Sequence, residues 1–205
     1  DGFTYARSSQ TLSRKAKDFS FHISFQSDRN NIAGELVALW IHAGVRSKQL
    51  KAWRQAQPEA VYSGDGLAGG QLGNLTSPYS WMEWNLANPD SRADLLADAV
   101  ATIRQIAFPY FALFEDPHSL CLKLISEDLP SLNLSCAIEF LLCYGDKQMA
   151  ESCLQRFLVA HLGVLAEYHI ELEKVRRDGI PHARETGYAI ELAYVTVAYG
   201  LQPPN

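Results

Sequence analysis

The residues of this chain with chemistry to offer are six histidines, four cysteines and one glycine-rich hexapeptide. The hexapeptide Gly64-Asp65-Gly66-Leu67-Ala68-Gly69 satisfies GxGxxG. That pattern holds a pyrophosphate only where a strand leads in and a helix N-terminus follows, so that backbone amides and the helix dipole point at the phosphates. Here the continuation Gly70-Gln71-Leu72-Gly73-Asn74 is a poor helix, so a flexible loop is expected and no dinucleotide cofactor. The histidines show no HExxH spacing, and His161 and His169 stand eight residues apart, only roughly on one side of a helix. Cys121, Cys136, Cys143 and Cys153 form no CxxC pair and read as reduced thiols packing like small hydrophobes. No bound metal is expected, and neither a GxSxG elbow nor a P-loop is present.

One constellation depends on strand pairing. Phe19, Phe21, Ile23 and Phe25 alternate with Ser20, His22, Ser24 and Gln26, the period of a strand with one buried face. Residues 35 to 43 follow as a nearly continuous apolar run that reads as a central strand. Pairing the two as a hairpin, apolar face to apolar face, sets Phe25 opposite Val37, Ile23 opposite Leu39 and Phe21 opposite Ile41. The other face then carries His22 against Trp40 and Ser20 against His42, with Ser24 and Gln26 alongside. Two readings stay open: Ser20, His22, Gln26, Trp40 and His42 line a ligand pocket, or the last helices cover the face and its polar atoms are satisfied internally or by water at its edge.

The elements that must position these residues fall into two runs. Short strands over 3–7 and 11–16 precede the hairpin, and Ser47 caps a short helix through Lys48 to Gln55. Residues 58–78 lack periodicity and read as a long loop, functional or mobile, with mobility expected from about Ser63 to Asn74 around Gly64, Gly66, Gly69, Gly70 and Gly73, a lid if the sheet face is a pocket. Trp81 to Leu86 resumes strand composition. From Ser91 the period becomes helical: Ser91 with Asp94 makes a variant capping box, and Pro109 should kink or end the helix near Ala107 or Phe108. Further helices are expected from Asp116-Pro117, over 132–143, from Asp146 to about Gly179 with His161 inside its apolar stripe, and from Ala183 to Tyr199. Strands before helices predict an α+β fold, an antiparallel sheet in the N-terminal part packed against a helical C-terminal part. The expected organisation is a single domain over 1–205, with a strand-rich part over 1–88 and a helical part over 89–205.

Charge is uneven: residues 1–57 hold nine Lys/Arg against four Asp/Glu, and residues 58–205 hold nine against nineteen. The basic excess is spread over several elements rather than gathered in a stripe, so nucleic acid is not the expected partner. No apolar run approaches the roughly 18 residues of a membrane span, and the expectation is a soluble protein outside the membrane. The chain opens at Asp1 without methionine or a basic-then-apolar leader, so its natural start is expected to have been cut off or renumbered.

The run Asp1-Gly2-Phe3-Thr4-Tyr5, the strand Phe21-His22-Ile23-Ser24-Phe25-Gln26-Ser27, the apolar strand after it, the Trp81 to Trp84 segment and the helix leading to Phe108-Pro109-Tyr110-Phe111 together resemble a bacterial family of domains of unknown function. The resemblance covers Gly2 to Phe114. It implies a strand-rich front, a helical tail and a bacterial source, and it carries no activity or catalytic residue. The expectation from the whole sequence is a non-catalytic interaction protein of the cytoplasm with a protein partner. The alternative is a small-ligand-binding protein or enzyme using the His22, Trp40 and His42 face.

Overall fold

A computed structural model describes residues 2–181 and 185–203. In chain order, β1 (Thr4–Ala6), β2 (Thr11–Ala16), β3 (Phe19–Ser27) and β4 (Ala38–Ser47) lead into helix α1 (Lys48–Ala56). Then come β5 (Gly66–Gln71), a 3-10 turn (Leu72–Leu75), β6 (Trp84–Asn85), α2 (Arg92–Thr102), a π turn (Ile103–Ala107) and α3 (Phe108–Glu115). The chain finishes with α4 (Pro117–Leu124), α5 (Leu134–Tyr144), α6 (Lys147–Ala160), α7 (Leu162–Asp178) and α8 (Tyr188–Ala198). The fold is α+β, an antiparallel sheet in the N-terminal part and a helical C-terminal part. Two compact units divide it, one of Asp1–Ser47 with Gly66–Asp116 and one of Lys48–Asp65 with Pro117–Asn205.

The first unit is a sheet of order β1-β2-β3-β4-β5, every pair antiparallel, with β6 beside the start of β4. Its apolar face carries Phe19, Phe21, Ile23, Ile41, Ala43 and Val45, all buried. The π turn and α3 cover it: Phe21 stacks on Phe111 with ring centroids 4.9 Å apart, and Phe19 meets Phe114 at 6.2 Å. Trp84 Nε1 donates to Asp98 Oδ2 at 2.8 Å and ties β6 to α2.

Two expectations about this region change. Ser91 already lies in the αR region and makes no side-chain cap bond, because the turn that begins at Pro89 has coiled the chain before α2 starts. Pro109 does not end the helix. It cannot donate to the carbonyl four residues back, and the wider π turn before it re-registers the chain so that proline falls in the first turn of α3, where no donor is needed.

In the second unit, Asn133 caps α5 by accepting from Ser135 N at 2.8 Å, and Asp146 caps α6 by accepting from Met149 N at 2.8 Å. The expected helix from Asp146 to about Gly179 is two helices. The break falls at His161 (φ −127°, ψ 69°), whose Nδ1 donates to the Phe157 carbonyl at 2.9 Å while its ring stacks on Phe157. His161 is therefore exposed at a helix end rather than set inside a core stripe. Helices α7 and α8 join through buried Tyr168 Oη and Thr196 Oγ1, 2.9 Å apart. The expected start of the last helix at Ala183 lies outside the described residues; the described helix begins at Tyr188.

Candidate recognition face

The site is built on β3 and β4. Their register sets Phe25 opposite Ile41, Ile23 opposite Ala43 and Phe21 opposite Val45, four residues along β4 from the expected pairing. Residues 35–37 have other partners: Leu36 bridges Ile32, the Val37 amide donates to Asn85 Oδ1 at 2.9 Å, and the Val37 carbonyl accepts from Leu86 N. Asn31 Oδ1 then accepts from Ala38 N at 2.9 Å and starts the strand there. An even slide keeps every side chain on its face. Ser20, His22, Ser24, Gln26, Trp40 and His42 accordingly share one face, but Ser24 lies opposite His42, Gln26 opposite Trp40 and His22 opposite Gly44. The pairs His22 with Trp40 and Ser20 with His42 do not form.

His22 lies between two hydroxyls, Nδ1 3.1 Å from Ser13 Oγ and Nε2 3.0 Å from Ser20 Oγ. Its two ring nitrogens are thus both engaged across β2 and β3. His42 differs: it is half-buried, and its Nε2 is shut from solvent with no hydrogen-bond partner among the described residues. Trp40 donates from Nε1 to Glu83 Oε2 at 2.6 Å and meets the Trp81 ring edge-on at 5.6 Å. Trp81 is 54% exposed and Tyr79 62%. At the other end of the face Lys15 and Arg46, both exposed, flank Ser20 as its cross-strand neighbours. The face therefore runs from an aromatic end to a cationic end, about 20 Å along β4 from Trp40 to Arg46.

The glycine-rich segment is not a mobile loop over this face. Gly66, Gly69 and Gly70 belong to β5, which pairs with β4 from His42 to Arg46. Gly69 has φ +140°, and a Cβ there would lie 2.4 Å from the Ala43 carbonyl oxygen and 2.7 Å from Gly44 Cα. Glycine is required because two backbones touch. Gly73 is buried in the 3-10 turn, its amide donating to Gln71 Oε1 at 2.8 Å, and the Gln71 amide group donates to the Met82 carbonyl. Gly64 precedes the strand, with its carbonyl accepting from Arg54 Nη1 at 2.8 Å. A pocket on the sheet face thus has no glycine-rich lid.

The densest titratable cluster lies in the second unit, and the sequence did not disclose it. Arg54 on α1 and Glu139 on α5 are wholly buried, with Nε donating to Oε2 at 2.7 Å. Tyr199 Oη donates to Glu139 Oε1 at 2.5 Å and accepts from Val61 N at 3.2 Å, while Tyr62 Oη donates to Glu191 Oε2 at 3.1 Å. Burial pushes the Glu139 carboxyl up, and the guanidinium and the Tyr199 hydroxyl pull against that rise. Burial also lifts the Cys136 thiol to about 11 and both phenols well above their ordinary range, so none is a ready nucleophile or base near neutrality. The cluster fastens residues 48–65 to α5 and α8. Its one sequence signal is Glu139 itself, a lone charge in the apolar helix Leu134–Tyr144.

Among the described residues no three His, Cys, Asp or Glu side chains gather where they could hold a metal ion, and no helix is long and apolar enough to cross a membrane. Comparison of the chain with models of protein families, with curated proteins and with solved structures finds no match.

Proposed function

We propose that this chain is a non-catalytic interaction protein whose first unit recognises an acidic polypeptide partner with its polar sheet face. The observation that carries this is the exposed Trp81 ring packed edge-on against Trp40, at one end of a face whose other end holds Lys15 and Arg46. Exposed Trp and Tyr are the residue types that dominate binding energy at protein interfaces, and a cationic end accelerates encounter with an acidic partner. His22 is held by Ser13 and Ser20 as part of the platform and takes no role as a base. His42 Nε2 offers a partner's polar group a hydrogen-bonding atom that no described residue engages. The cytoplasm is the proposed location, because all four cysteines are free thiols and a reducing compartment keeps them so.

Panning a displayed random-peptide library on the protein, with Trp81→Ala as counter-selection, tests the proposal. The expected result is a set of peptides rich in Asp and Glu that lose at least roughly tenfold in affinity on Trp81→Ala. Their on-rates should fall with added salt and with Lys15→Glu/Arg46→Glu. Recovered peptides that bind Trp81→Ala and the charge-reversed protein as well as the parent would overturn it.

A further inference from the structure

On the opposite face of the same sheet, an open groove of about 280 Å³ lies between the sheet and α2. Its sheet wall carries Ile23, Phe25 and Leu39, and its helix wall carries Leu96 and Val100, which stay 44% and 46% exposed. Leu96, Val100 and Arg104 follow one another at four-residue intervals, so they form one ridge along the helix. Arg104 is the single charged residue of the lining, which contains no acid. It sits in the π turn, exposed, and forms no hydrogen bond or ion pair among the described residues. Arg14, which lies over the Phe3 and Phe21 rings, is already committed to Glu115.

We propose that this groove binds a straight-chain carboxylate of medium length, its alkyl chain between α2 and the sheet and its headgroup at Arg104. The apolar walls reward methylenes and offer no partner to a polar body. The free guanidinium presents paired N–H donors that match the two oxygens of a carboxylate. A cationic or zwitterionic headgroup would meet Arg104 as a like charge. The site is independent of the polar face and stands or falls apart from it.

The test is calorimetric titration of the tag-free protein with hexanoate, octanoate and decanoate below their micelle concentrations, with 1-octanol and octyltrimethylammonium as headgroup controls. Affinity should rise about fourfold per added methylene until the groove is filled. Octanoate should bind roughly tenfold tighter than octanol, and octyltrimethylammonium weakest. Arg104→Gln should bring octanoate down to the octanol level and leave octanol unchanged. Val100→Glu, at a half-exposed position where the fold tolerates the change, should abolish both. No dependence on chain length, equal affinity for the carboxylate and the cation, or full binding by Val100→Glu would overturn the proposal. So would self-association that Val100→Glu removes and decanoate does not, since a second copy of the chain would then be what covers the groove.

Discussion

Both units hold a cluster of polar and aromatic side chains, and the two clusters are built from similar groups. Around Arg54 the polar groups converge inward: Glu139 takes the guanidinium on one oxygen and Tyr199 on the other, and Gly64 and Val61 bind through their backbones. On the sheet face, His22 is satisfied in the same inward way by two serines, but His42 Nε2 has no partner among the described residues and Trp81, Lys15 and Arg46 are exposed. A buried charged pair makes the fold depend on each partner, whereas outward groups leave the fold nearly indifferent to them. The difference teaches that closure, more than residue type, decides which cluster is architecture and which is available for recognition.

The sharpest way to break the comparison is Arg54→Met. It leaves Glu139 buried without its counter-charge and should cost about 3–5 kcal/mol in urea unfolding. Replacing both partners, Arg54→Met with Glu139→Leu, should recover part of that loss, because no uncompensated charge remains. A cost under about 1 kcal/mol for the single variant would mean that the pair is dispensable and the contrast with the sheet face is lost. Gly69→Ala should cost about 3 kcal/mol by combining a strained φ with a backbone clash against Ala43, and would confirm that β5 is pinned to β4.

A smaller effect is the pH dependence of the Arg54 site. Burial raises the Glu139 carboxyl, so the native protein holds that proton more readily than the unfolded chain. Stability from this group is full below the ordinary carboxylate range and falls as pH rises through the raised value. In the parent protein Arg54 opposes the rise; in Arg54→Met it does not. Urea titrations from pH 5 to pH 8 should show the variant losing more stability than the parent over that interval, and Glu139→Gln should flatten the difference. The smallest effects belong to the open face. Trp81→Ala and His42→Gln should each change stability by less than about 1 kcal/mol while peptide binding falls for Trp81→Ala. A cooperative loss of fold in Trp81→Ala would make that residue part of the architecture as well.

Much of the fold could be read from periodicity. The alternation over Phe19 to Phe25 placed the buried face correctly, and Asp116-Pro117 and Asp146 marked helix starts where the structure has them. The shared face of His22, Trp40 and His42 survived a wrong register because alternation has period two and the slide was even. The register itself depends on Asn31, Asn85 and Leu86 capturing Val37 and Ala38, and that competition lies outside any strand pattern. Strand β5 was missed because Gly66, Gly69 and Gly70 have no side chains to alternate, and their contact with β4 exists only in three dimensions. Tyr79, Lys15 and Arg46 gave no signal, since one exposed side chain resembles any other in sequence. Trp81 opens a stretch of strand composition, but the strand itself begins at Trp84.

The Arg54–Glu139 bond joins positions 85 apart in the chain. At ribosomal speeds of about 5–20 residues per second, Arg54 is polymerised roughly 4–17 s before Glu139. Throughout that interval a nascent chain carries α1 between β4 and β5, two strands that are neighbours in the finished sheet. A greasy α1 would have to be sheltered for all of those seconds; a cationic one can wait in water. The charge whose burial makes the mature protein intolerant of losing one partner is thus, before that partner exists, the group that gives α1 a place in water.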